Sequence, residues 1–171
     1  MHNSTQRMVL LALFVSMASV LHVVESWIPM PMPVPGIKLG LANIVSLVVI
    51  VMYGWRDAFY VATLRVFIGS LFGGAFLGPT FAMSISGALV SAVAMALACR
   101  YVKPPFSIVG VSIIGATVHN LAQIMVAALV VGSQSLLWYL PYLLVFAVPT
   151  GVATGFTTYY FLSKLPKTFM K

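Results

Sequence analysis

The chain of 171 residues contains only two acids, Glu25 and Asp57, and one cysteine, Cys99. A lone cysteine rules out an internal disulfide and a thiolate metal cluster. Two isolated acids cannot build the paired aspartate clusters that hold a Mg2+–diphosphate. No Gly-rich phosphate loop and no Ser–His–Asp arrangement occurs either. Charge of both signs is scarce, at 6% of residues against about a quarter in a soluble domain. With 61% hydrophobic residues and a mean hydropathy of +1.08, the chain has too little polar surface to dissolve as a globule. Water-soluble enzyme folds and disorder are excluded together. The net charge of +7 comes from scattered bases without a run, which argues against nucleic acid and for the charge bias that orients membrane proteins.

What the sequence does have is apolar runs. A helical span needs about 20 mostly apolar residues. Six runs, at 8–25, 39–54, 57–72, 80–99, 106–131 and 135–163, are divided by a Pro-rich stretch at 28–36, by Gly54-Trp-Arg-Asp57, by Gly73-Gly74 and by Lys103-Pro-Pro105. They predict an all-α integral membrane protein, a single six-helix transmembrane domain over 1–171. The alternation that a β-barrel requires is missing. With six spans, alternate connections share a side, and seven of the nine bases then fall together: Arg7, Arg56, Arg100, Lys103, Lys164, Lys167 and Lys171. The positive-inside rule predicts a multi-pass plasma-membrane protein with both termini cytoplasmic. The alternative for the first run is a cleaved leader, which would leave five spans and an external amino end.

Polar groups inside the runs are candidates for function, because an ionisable side chain at mid-membrane costs about 2.5–3.5 kcal/mol. Arg65 lies one helical stretch of about 12 Å beyond Asp57. It can serve as a clamp on Glu25 or helix carbonyls, or meet an anionic group on a ligand. The fifth run carries Ser112, His119, Asn120 and Gln123; interhelical hydrogen bonding suits Gln123 by itself, and a ligand role is open for His119 and Asn120. His22 and Glu25 close the first run one turn apart. Lys38 opens the second, with Asn43 just over a turn further in, at a helix start whose free N–H groups favour anions. Glu25, Lys38, Asn43, Arg65, His119 and Asn120 form the expected substrate-binding set, all in the outer half of the membrane, predicting a pocket that opens outward. No metal site or cofactor is expected, since the histidines lack ligand spacing and acids are nearly absent. Small-residue stripes at Ala12-xxx-Ser16 with Ser19, Gly87-xxx-Ser91, Ala88-xxx-Ala92 and Gly151-xxx-Gly155 predict close helix contacts, within the bundle or with a partner. Trp138, Tyr139 and Tyr142 suit an outer aromatic belt and Trp55 an inner anchor.

Three blocks carry a family resemblance: Pro35-Gly-Ile-Lys-Leu-Gly-Leu-Ala-Asn-Ile-Val45, Leu64-Arg-Val-Phe-Ile-Gly-Ser-Leu71 and Gly115-Ala-Thr-Val-His-Asn-Leu-Ala-Gln123. Over about 7–165 the chain resembles the Gx transporter family, whose members are often labelled heptaprenyl diphosphate synthase component I. It is similar to the substrate-binding S components of energy-coupling factor importers. The resemblance implies a six-helix bundle with an outward-facing pocket, covered by the loop after the first helix. It also implies docking through small residues of that helix, here Ala12 and Ser16, onto a transmembrane coupling protein served by ATPase subunits. The expected function is therefore non-enzymatic capture of a small anionic molecule, vitamin-like or isoprenoid-related. Lys38 and Arg65 would neutralise it, Asn43 and Asn120 would orient it, and the 28–36 loop would act as a lid. Membrane lipids are expected partners and nucleic acid is not. The alternative is a non-transporting accessory subunit of a polyprenyl diphosphate synthase or a quinone-linked complex.

Overall fold

A computed structural model describes residues 4–28, 40–101 and 107–165. Their regular structure is helical: α1 (Ser4–Trp27), α2 (Asn43–Tyr53), α3 (Trp55–Phe72), α4 (Pro79–Tyr101), α5 (Ser107–Val131) and α6 (Leu140–Lys164), the last entered through a 3-10 turn at Gln134–Tyr139. Four segments are long and apolar enough to cross a membrane: Thr5–Trp27, Pro79–Tyr101, Ile108–Val131 and Gln134–Lys164. The chain is an all-α membrane protein.

The second element departs most from expectation. A run at 39–54 was long enough to approach a span, yet α2 starts only at Asn43 and has 11 residues. At 1.5 Å per residue it is about 16 Å long, roughly half the hydrocarbon thickness. Its surroundings account for this. Val45, Leu47, Val48, Val49, Ile50 and Met52 are all buried, so the helix is covered on nearly every face. It touches α1, α3, α4, α5 and α6, and its apolar residues share one core cluster with Phe14, Val15, Ala18, Ala58, Val61, Met95, Val111 and Leu162. A helix that is apolar all round belongs in a core, and a short helix at membrane depth is tolerated where protein rather than lipid encloses its ends.

The connection from α2 to α3 is a single residue. Gly54 has φ 98° and ψ 179°, a region open essentially to glycine alone, and its N–H donates to the carbonyls of Ile50 and Val49. Nothing lies within 4 Å of where a Cβ would stand. Gly54→Ala should therefore destabilise through backbone strain and not through a clash, by about 1–3 kcal/mol. A melting curve in detergent that matches the wild type would contradict this.

One end of the bundle is basic. Arg7 Nη2 donates to Asp57 Oδ2 at 2.6 Å, joining the starts of α1 and α3. Trp55 and Arg100 line a common groove, which brings the end of α4 to the same place. Arg56, next to Trp55 at the start of α3, adds a further base there. Lys103, Lys167 and Lys171 lie outside the described residues.

The small-residue stripes resolve into two kinds. Gly87, Ala88, Ser91 and Ala92 are buried inside the bundle. A Cβ on Gly151 would come within 2.6 Å of the Ile113 Cα, and one on Gly155 within 2.7 Å of the Val109 Cα, so α6 meets the backbone of α5 directly. Ala12 and Ser16 lie instead on the exposed face of α1, beside Leu13 and Met17. The Ser16 hydroxyl donates to the Ala12 carbonyl of its own helix, whereas Ser19 turns inward and donates to Val15.

Candidate functional site

The end of α1 turns His22 and Glu25 inward, where both are buried. Glu25 Oε1 accepts the N–H of Gly40 and, at 3.2 Å, that of Leu41. These are donors at the entrance to α2, and inside a membrane protein they need an acceptor. The sequence led to a ligand anion at this helix start; the anion there is the protein's own Glu25. The same contact explains the late start of α2. Gly40 adopts φ +81°, and its carbonyl then accepts the Asn43 N–H at 2.8 Å to open the first turn.

Arg65, 2% exposed, is the largest fully buried side chain among the described residues. Its Nη2 donates to Asn43 Oδ1 at 2.8 Å, and Glu25 is the carboxylate whose charge acts on it. The Ser91 hydroxyl faces the same Asn43 oxygen at a long 3.5 Å and makes a better bond, 3.1 Å, to the Ala88 carbonyl. Two buried donors, Arg65 Nε and Asn43 Nδ2, have no acceptor among the described residues.

Glycines make the room for the remaining polar side chains. A Cβ on Gly69 would stand 2.6 Å from His22 Cδ2. One on Gly87 would stand 2.9 Å from both His119 Nδ1 and Gln123 Cγ. Gly40 faces both Asn43 Nδ2 and His119 Cδ2, at 2.8 and 3.6 Å from its Cβ position, and so links the Arg65–Asn43 pair to α5. Any larger residue at Gly69 or Gly87 would occupy the space that the imidazoles fill.

Of the residues expected in the site, Glu25, Asn43, Arg65 and His119 converge. Asn120 does not join them. One position further round α5, it points to α6, and its Nδ2 donates to the Leu143 carbonyl at 3.1 Å, a tie between helices. Lys38 and nearly all of the 28–36 stretch lie outside the described residues. Gln123, read from sequence as an interhelical link, is fully buried and stands with His119 against Gly87. Its signal was the spacing of four from His119, which puts the two on one face. His22 carried a similar signal, one turn before Glu25. The glycines at 69 and 87 carried none, because only the packing shows what they admit.

Arg65 Nε and Asn43 Nδ2 present buried N–H groups with no acceptor among the described residues, while Glu25 Oε1 serves two backbone amides. Among the described residues no group of His, Cys, Asp and Glu is placed to hold a metal ion. Such a site can hold an acceptor-bearing molecule by charge and hydrogen bonds. Among curated proteins, no relative matches the chain. Residues 14–161 match the family described as heptaprenyl diphosphate synthase component I, a stretch from the middle of α1 to near the end of α6 that contains every residue of the cluster. The chain therefore belongs to the heptaprenyl diphosphate synthase component I family.

Proposed function

We propose that the protein is a non-enzymatic substrate-binding subunit of an energy-coupling-factor-type importer, a six-helix plasma-membrane protein whose basic end and both termini face the cytoplasm. The observation that carries this reading is the pair of buried donors, Arg65 Nε and Asn43 Nδ2, that have no acceptor among the described residues. Buried donors of this kind are costly unless something accepts from them. A carboxylate or phosphate on a small molecule is an acceptor of the right charge, and Lys38 would supply a second cation. The face of α1 bearing Ala12 and Ser16 supports docking onto a coupling subunit, since it is apolar, has small residues and is not used inside the bundle.

The family description favours a second reading, an accessory membrane subunit of a polyprenyl diphosphate synthase. Affinity purification from native membranes separates the two. A multi-span coupling protein with ATPases, lost in Ala12→Leu and retained in Arg65→Gln, is the expected result. A prenyl-transfer enzyme in their place would establish the accessory role. Native mass spectrometry of the same preparation should show a retained small anion that Arg65→Gln loses at least tenfold.

A further inference from the structure

A groove of about 340 Å3 runs between α3 and α4 at the basic end, walled by Trp55, Phe59, Val93, Ala96, Leu97 and Arg100. We infer that it holds an anionic phospholipid, with one acyl chain against Phe59, Val93 and Leu97 and the phosphate on Arg100. The groove opens sideways: Val93 and Leu97 are 47% and 53% exposed on the outer surface of α4, so its occupant enters from the bilayer. Its walls are apolar except at one end, where Arg100 sits in the last turn of α4. An occupant must therefore be a chain with a charged head, aligned with α4.

The charge selects the sign of that head. Asp57 is engaged by Arg7 and Glu25 caps the start of α2 at the opposite end, so Arg100 has no carboxylate partner among the described residues. Arg56 lies over the Trp55 ring at 5.4 Å from its centroid, which places a second cation beside the groove mouth and leaves the indole, 60% exposed, at the depth where aromatic rings meet headgroups. Arg100 also suits the helix dipole at this terminus, but that interaction leaves its guanidinium open to a phosphate.

The test uses the purified full-length chain in detergent, titrated with palmitoyl-oleoyl phosphatidylglycerol or phosphatidylcholine and read by native mass spectrometry. One phosphatidylglycerol should bind at least fivefold more strongly than phosphatidylcholine, at about fivefold for each base near a headgroup. Arg100→Gln should cut the preference about fivefold, and Ala96→Phe, which fills the groove, should release both. If Ala96→Phe is not monodisperse, Val93→Trp serves the same purpose. An Arg100→Gln variant that keeps the preference undiminished, or a filled groove that still retains lipid, would overturn the assignment. So would displacement of phosphatidylglycerol by an equal concentration of farnesyl diphosphate, which would make the occupant a prenyl diphosphate.

Discussion

Arg65→Ala is expected to abolish small-molecule retention and to destabilise the protein by about 2–5 kcal/mol, through the loss of a charge-assisted hydrogen bond and the cavity left behind. The side chain fills the centre of the cluster, so its removal strands Asn43 Oδ1 and leaves Glu25 without the cation that faces it. Stability alone cannot report on a binding role, because a clamp would also unfold. Arg65→Lys separates the two. It retains the charge near Glu25 but has no planar fork to reach Asn43 and a ligand at once. The expected outcome is a melting temperature within a few degrees of wild type with ligand retention reduced at least tenfold. Undiminished retention in Arg65→Lys and Arg65→Ala would take Arg65 out of the site.

The second large effect is at the contact of α5 and α6. Gly151→Ala should destabilise by about 1–3 kcal/mol, since its Cβ would meet the Ile113 Cα at 2.6 Å and neither backbone can yield without separating the helices. Gly110→Ala is the control on the same helix pair. Nothing stands within 4 Å of its Cβ position, so there the change should be neutral or stabilising by up to about 1 kcal/mol. Thermal unfolding of both variants in one detergent checks the contrast. Equal melting temperatures would show that α6 can shift away from α5 at little cost.

The helices were legible because their breakpoints are chemical. Gly54 with Arg56 and Asp57, the Gly73-Gly74 pair and Pro79 each stop or start a helix for reasons local to the chain. Convergence of Glu25, Asn43, Arg65 and His119 was legible too, because polar groups in an apolar run have few places to go. The division between His119 and Asn120 was not. Adjacent residues on a helix point about 100° apart, and which of them meets the cluster depends on how α5 is rotated against α4 and α6. The length of α2 was hidden for a related reason: hydropathy cannot distinguish residues that face lipid from residues that face protein. The engagement of Glu25 with Gly40 and Leu41 depends on a chain reversal that composition does not encode.

The shortness of α2 has a consequence for biogenesis. At about 16 Å it cannot rest alone across a bilayer as it leaves the ribosome. The Gly40 and Leu41 amides that lead into it find their acceptor on α1, and its other end passes through Gly54 into α3. The short helix is thus held at both ends by its neighbours, so α1, α2 and α3 are expected to settle in the membrane as one unit.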